Sequence, residues 1–379
     1  MTGKKKIIFL FIALLFFASQ TVFAKSDRQV FIGSFVDTSN HKIKEALDFL
    51  LDYYKATSNL DSINYRAYFT AQRCDDYKIP DPLIHAIASE GNTYEMYSAA
   101  TIFYAKQFPD YILIKTLFLW KTDSVNFNPS AITNHYIHHN EKGYYFLTEM
   151  EQHADAYRTV QNANIEYVFP KAISFDKNKS DSLIASLRRF EKEWNFKPIP
   201  HIRYVFANTK EELAKMKGLD YLVLMDENTP SGYSDDESNT VYCQGKGENY
   251  LHEILHLYLN PFYQKSPVNH GLVYYWGGGI MGSYTQMIHR LDDYLRKYPE
   301  TDLTDYDKLI SKDRLLHIDH AINAMLCKRV YEKEGVKGLK RLLSYPDLES
   351  LYLKEYKLSK NERNEFLRKM IAKESAAAK

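Results

Sequence analysis

Hydrophobic residues follow two successive patterns in the first half of the chain. Between Asn40 and Lys55, apolar side chains recur every three or four residues, which predicts an amphipathic helix, and a second helical stretch is predicted from about Asp81 to Gln107. From Tyr111 onward, short apolar runs separated by polar breaks predict strands. The predicted strands are "YILIKTLFLW", "AITNHYIHH", "KGYYFLTEM" and "NANIEYVFP". Helices followed by strands predict a small α+β domain.

The second half of the chain begins with a new pattern. One apolar stripe from Ser180 to Trp194 predicts a helix that stops before Pro198. Strands are predicted at "HIRYVFA", "DYLVLM" and "TVYCQ", and "DENTPSGYSDDESN" is predicted to be a loop. Between the first two strands, Thr209–Lys217 forms a helix with a capping-box start. We therefore predict an α+β accessory domain at 25–170 and a second domain at 171–379.

The first 24 residues have the pattern of a secretory signal peptide. Three lysines at positions 4 to 6 precede an unbroken apolar run from Ile7 to Phe17, and a more polar stretch ends at Ala24. The run is about half of the roughly 20 residues needed to cross a bilayer. We predict cleavage after Ala24, export to the periplasm or the medium, and no transmembrane span in the mature chain.

Charge and cysteine content limit the classes of partner. The chain has 49 basic and 48 acidic side chains, so removing the three leader lysines leaves a formal charge of −2. A chain without a basic surface is not expected to bind nucleic acid, and we predict a peptide or protein substrate instead. The three cysteines, Cys74, Cys243 and Cys327, are far apart, so they predict no zinc site and at most one disulfide.

The motif H-E-x-x-H occurs in "GENYLHEILHLYLNPFYQKSPVNHGLVYYWGGG" as His252, Glu253 and His256. Residues four apart lie above one another on a helix, so both histidines can bind one metal ion. Glu253 is turned roughly 100° away, outside the ligand set, where it can accept a proton from the water that the metal activates. Leu251, Leu255, Tyr258 and Leu259 supply a buried face for this helix. The motif predicts a metal site with Glu253 as general base.

A catalytic zinc ion usually has three protein ligands, so a third must come from elsewhere. His270 follows a loop of suitable length and lies at the start of a second predicted helix, which Asn269 could cap. Its rivals are His289, Asp292, Asp293, His317 and His320. We interpret the first three as the solvated face of one helix and the last two as partly buried residues of another.

Another histidine cluster lies in "NHYIHHN", at His135, His138 and His139. Alternation along a strand places His135 and His139 on one face about 13 Å apart, too far to share an ion. We interpret these three residues as ordinary surface residues.

The segment from about Ser180 to Leu343 resembles the gluzincin metallopeptidases, the superfamily of thermolysin and the zinc aminopeptidases, and is most similar to peptidase-like proteins of the type exported by Bacteroidetes. The resemblance is specific at "YLHEILHLYLN" and looser in "NHGLVYYWGGG" and "HIDHAINAMLCKRVYEKEGVKGLKRLLS". It implies a small sheet, the H-E-x-x-H helix and a helical C-terminal subdomain, with Zn²⁺ as the cofactor. It also implies an oxyanion partner, a downstream tyrosine or histidine that the sequence does not identify.

The family's third ligand is a glutamate, and two alignments are open. In the first, His270 replaces the glutamate, and His252, His256 and His270 hold zinc. Imidazole is a good zinc ligand, so a three-histidine site implies a working hydrolase. In the second, Gly278 or Gly279 falls at the ligand position, which implies a catalytically inactive pseudopeptidase or binding protein. We favour the first, in which the "GGG" sequence is a backbone feature that permits positive φ or close approach.

Overall fold

The computed structural model describes residues 29–57, 62–84, 99–121, 126–223, 231–279 and 282–377. The predicted signal peptide lies outside the described residues. In the described part of the chain, no helix combines the length and hydropathy that crossing a bilayer requires. All three cysteines are free thiols.

The chain is a mixed α+β protein with two compact units. Among the described residues, the first consists of 29–57, 62–64, 83–84, 99–121, 126–146 and 219–223, and the second of 65–82, 147–218, 231–279 and 282–377. Each unit has one sheet of its own. Residues 147–170 thus belong to the second unit, whereas the sequence places a boundary after residue 170.

A six-stranded sheet forms the centre of the first unit. Its strands are β1 (Gln29–Ile32), β2 (Ala99–Gln107), β3 (Ile112–Lys121), β4 (Phe127–Asn140), β5 (Gly143–Leu147) and β9 (Leu219–Leu222). The order is β1-β2-β3-β4-β5, and β9 pairs with β4. Helix α1 (His41–Ala56), capped by Asn40, packs on β2 and β3. Its Tyr54 hydroxyl donates to Thr116 Oγ1 at 2.9 Å, which ties the helix to the sheet.

The second unit has a five-stranded sheet in the order β10-β11-β8-β7-β6. Its strands are β6 (Tyr157–Asn162), β7 (Ile165–Pro170), β8 (Ile202–Ala207), β10 (Ser231–Asp235) and β11 (Thr240–Gln244). The central strands β11, β8 and β7 are parallel, and the edge strands β10 and β6 are antiparallel to their neighbours. Residues of β8 alternate between the main core, with Tyr204 and Phe206, and a smaller cluster on the other face, with Val205. Both faces of this sheet are therefore covered.

Most helices belong to the second unit. They are α2 (Ala71–Asp76), α3 (Glu149–Gln152), α4 (Lys177–Trp194), α5 (Lys210–Met216), α6 (Leu251–Tyr263), α7 (Asn269–Gly277), α8 (Tyr284–Lys297), α9 (Ile318–Leu343), α10 (Leu348–Leu351) and α11 (Arg363–Ala377). Short 3₁₀ turns lie at Tyr65–Ala67, Ala154–Ala156, Tyr306–Lys308 and Lys360–Glu362, and a π turn at Tyr352–Tyr356. Helix α9 has a break at Gly335, where φ is 61°.

Three local predictions are wrong. Residues 99–107, predicted as helical, form β2, while 85–98 of that predicted helix lie outside the described residues. Ser231–Asp235, predicted as loop, is the edge strand β10. His135, interpreted as a surface residue, is 4% exposed, and burial lowers its pKa to about 3. In each case long-range pairing or packing overrides the local pattern.

Helix α6 lies in the main core of the second unit. Every residue from Leu251 to Leu259 is buried, because the helix contacts β10 and β11 on the sheet side and α4 and α7 elsewhere. The predicted helix of the H-E-x-x-H motif is thereby confirmed. It begins at Leu251 and includes Pro261 in its last turn.

Candidate metal centre

The H-E-x-x-H helix brings three potential ligand residues together. The ligand atoms of His252, Glu253 and His256 all lie within 4.8 Å of one another, and all three residues are buried. The two imidazole ring centroids are 5.1 Å apart, one above the other on successive turns of α6. This buried group could hold a metal ion, as the spacing of the motif predicts.

Each motif histidine uses its Nδ1 atom in a hydrogen bond. His252 Nδ1 lies 2.6 Å from the carbonyl oxygen of Gly278. Because a carbonyl only accepts, His252 must carry its proton on Nδ1. His256 Nδ1 lies 3.2 Å from Asn260 Oδ1. The same oxygen accepts from Asn269 Nδ2 at 2.9 Å, and Asn260 Nδ2 donates to Asp236 Oδ2 at 2.8 Å. Asn260 therefore presents its oxygen to His256.

These hydrogen bonds determine which ring nitrogen is available to bind a metal ion. With Nδ1 protonated in both rings, the lone pair that can bind a metal lies on Nε2. Proteins usually orient a metal-binding histidine in this way, through a hydrogen bond from its other ring nitrogen. Burial also keeps both rings neutral. It lowers the pKa of His256 to about 4 and that of His252 well below its usual value. Two neutral imidazoles with free Nε2 lone pairs are the chemical form that binds a metal.

Glu253 lies in a protected and electrostatically unusual position. Burial, with a smaller contribution from the charge of Asp236, raises the pKa of its carboxyl to about 8, against the opposite effect of a hydrogen bond with Tyr250. Without a cation nearby, the carboxyl therefore holds its proton more tightly than an ordinary glutamate does. A cation bound beside it would favour the ionised form. Such a carboxyl can exchange a proton near neutral pH, as a general base must.

Five aromatic rings form a closed circuit of neighbours that includes the two motif histidines. Successive ring centroids are separated by only 4.8 to 5.1 Å, and the circuit closes on itself. The rings, in order, belong to His252, His256, His270, His320 and Tyr274. His270 is exposed and the two motif histidines are buried, so the His270 side of the circuit is the one nearer to solvent.

His270 lies beside the compact ligand group but is not a member of it. Its ring centroid is 4.8 Å from that of His256, and its Nδ1 is 3.3 Å from His320 Nε2. Helix α7 begins at Asn269, and its N-terminus has no side-chain cap. The predicted capping role of Asn269 is therefore wrong, since its amide instead supports Asn260.

Close packing of α7 on α9 positions His270 next to His320. A Cβ atom added to Gly271 would lie 2.7 Å from the backbone nitrogen of Ala324 and would also overlap the Asn323 side chain. Asn323 in turn donates to the carbonyl of Pro267 at 3.0 Å, in the loop before α7. Only glycine permits this approach of the two helices, which explains the residue that follows His270.

The other candidate ligands fall into two groups. On α8, His289 contacts Ser375 Oγ at 3.0 Å and Asp292 pairs with Arg296. Asp292 is buried, so its interpretation as part of a solvated face is wrong. His317 is exposed and immediately precedes α9, so its interpretation as a partly buried helix residue is wrong. His320 is partly buried, as predicted, but it joins the ring circuit. The sequence named His320 only as a rival to His270, and it missed Tyr274 and Asn260 as parts of the site. For Asn260, the only indication in the sequence was its position four residues after His256.

Gly278 has a backbone conformation that other residues rarely adopt. Its φ is 71° and its ψ is −172°, and an added Cβ would lie 2.8 Å from the carbonyl oxygen of Gly282. The prediction of a positive φ within "GGG" is confirmed at this residue. The conformation directs the Gly278 carbonyl at His252.

We expect Gly278→Ala to reduce the free energy of unfolding by about 1–3 kcal/mol, the usual cost of a strained backbone conformation, and to weaken metal binding. Urea denaturation and metal titration measure the two effects. Gly335→Ala is the matched control, because Gly335 has a φ of 61° with no atom within 4 Å of an added Cβ. It should lose stability but keep its metal affinity. Equal metal affinity in the two variants would contradict a supporting role for the Gly278 carbonyl.

No protein-family model matches this chain, and no curated protein matches it significantly.

Proposed function

We propose that this protein is an exported zinc-dependent hydrolase of peptides or proteins, with a gluzincin-like catalytic domain. The observation that carries the proposal is the buried group of His252, Glu253 and His256, in which both histidines have Nδ1 engaged and Nε2 available. Neutral imidazole nitrogen is a preferred zinc ligand, and a carboxyl next to two such rings is the usual accompaniment of catalytic zinc.

The residues have distinct roles in this proposal. His252 and His256 would hold zinc, and His270 would be the third ligand, a role supported by the 4.8 Å separation between the ring centroids of His270 and His256. The bound ion would supply Lewis acidity for a carbonyl and for water. Glu253 accepts the proton from the attacking water and passes it to the leaving amine. The buried surroundings of Glu253 strengthen its electrostatic interactions.

The direct test is to purify the protein, measure its zinc content and assay it with a mixture of fluorogenic peptides. Zinc that is retained by the wild type and lost in His252→Ala, together with hydrolysis that a chelator abolishes and zinc restores, would support the proposal. A protein that folds normally and binds no zinc at His252 and His256 would contradict it.

An inactive zinc-binding or peptide-binding protein is the second candidate function. The observation in its favour is that the compact group contains two histidines and Glu253 without the third ligand. This candidate predicts zinc binding without turnover of any peptide. The peptide assay on zinc-loaded protein separates it from the hydrolase.

We expect Asn260→Ala to weaken zinc binding by about 10–100-fold, because partners that orient a metal-binding histidine typically contribute that much. Without the Asn260 oxygen, His256 loses the acceptor that keeps its proton on Nδ1. Competition with a chromophoric chelator measures the dissociation constant without any need for activity. Asn178→Ala, at an exposed position of α4, is the matched control. An unchanged zinc affinity in Asn260→Ala would show that His256 does not depend on this contact.

A further inference from the structure

A second group of potential metal ligands lies at the start of α9. The ligand atoms of His317, Asp319 and His320 all lie within 4.8 Å of one another. His317 immediately precedes the helix, and the other two residues lie in its first turn. The rings of His317 and His320 are stacked, with centroids 4.9 Å apart. The proposed zinc site does not use this group.

The separation of Asp319 and His320 fits metal coordination better than hydrogen bonding. His320 Nε2 lies 3.4 Å from Asp319 Oδ2. Hydrogen bonds from nitrogen are usually shorter, at about 2.7–3.2 Å. Two ligand atoms that each bind a tetrahedral zinc at about 2.0–2.1 Å lie about 3.3 Å apart. The separation between His320 and Asp319 is close to that value.

The chemistry of the group also suits a cation. Two imidazoles and one carboxylate are typical ligands of divalent transition metals. Asp319 supplies one negative charge towards the two positive charges of such an ion. His317 is exposed, so an ion can enter from solvent without movement of the core.

We propose that His317, Asp319 and His320 form a second binding site for a divalent transition-metal ion, with His270 between this site and the first. The inference does not depend on the proposed hydrolase function, because it concerns a different set of ligands. Since the second site is more exposed than the buried motif group, it binds its ion more weakly than the first site does.

The test is a titration of the metal-free, full-length protein with zinc, in competition with a chromophoric chelator. We expect the wild type to bind two equivalents of zinc, a tight one and a weaker one. His317→Ala and Asp319→Asn should each lose the weaker equivalent and keep the tight one. His252→Ala should lose the tight equivalent and keep the weaker one. Asp293→Asn, which removes an exposed carboxylate on α8, should bind both.

The outcomes separate the two proposals. If the wild type binds only the equivalent that depends on His252, or if two equivalents persist in both His317→Ala and Asp319→Asn, the second site is refuted and the hydrolase proposal stands. If the only equivalent bound is one that requires His317 and Asp319, the second site is supported and the first is refuted.

Discussion

Glu253→Gln will lower kcat/KM for peptide hydrolysis by about 10²–10⁴-fold, the usual contribution of a general base, while zinc remains bound. Glutamine has nearly the same shape as glutamate and can remain next to Tyr250, but it cannot accept a proton. Glu253 is only 5% exposed, so bulk water cannot easily replace it as a base. Hydrolysis of fluorogenic peptides and zinc content, measured on the same preparation, test both parts of the prediction.

The matched control for this variant is Glu237→Gln, the same chemical change in the exposed turn between β10 and β11. Glu237 pairs with Lys78 on the surface, and its replacement should leave both activity and zinc content unchanged. Turnover of Glu253→Gln at the wild-type rate would remove Glu253 from the mechanism. If the protein had a purely structural role, Glu253→Gln would change neither of the two measurements.

His256→Ala will weaken zinc binding at the motif site by more than 100-fold. The reason is that removal of a partner that only orients a ligand already weakens binding by about 10–100-fold, and this substitution removes the ligand itself. Zinc at about 1,000 times its dissociation constant stabilises a folded protein by about 4 kcal/mol. The thermal midpoint of the wild type should therefore rise when zinc is added, and that of His256→Ala should rise much less.

His289→Ala is the matched control, since it removes a histidine from another helix of the same unit. The zinc affinity of His270→Ala then tests whether His270 is the third ligand. If His270 binds the ion, His270→Ala should weaken zinc binding about as much as His256→Ala does. If His270 is only a neighbour of the ion, His270→Ala should change the zinc affinity by less than about 10-fold. A wild-type affinity in His256→Ala would refute the motif site itself.

Local patterns in the sequence predict the centre of the site well. His252, Glu253 and His256 lie on one short helix, so their mutual geometry follows from helical spacing and from the apolar residues that bury α6. The capping box at Thr209 and Glu212 is likewise present as predicted. In these segments the interactions that determine the structure lie within a few residues along the chain.

The remainder of the site depends on contacts between distant segments. His320 and Asn323 reach α7 through packing of α9 at Gly271, and no periodicity specifies which two helices come together. The strand β10 has the polar sequence "SGYSD" and forms by pairing with β11, not through its own propensity. Strand β9 was predicted as a strand, but the sequence does not indicate that it joins the sheet of the first unit.

Two oxygen atoms orient the motif histidines through hydrogen bonds, and one of them, the carbonyl oxygen of Gly278, belongs to the main chain. Because His252 is held by the Gly278 carbonyl, an alanine scan of side chains cannot remove this contact and can disturb it only through backbone conformation. The structural requirement at residue 278 is therefore a permitted pair of torsion angles and not a functional group. Replacing the peptide unit between Gly278 and Gly279 with an ester would weaken the acceptor without altering any side chain.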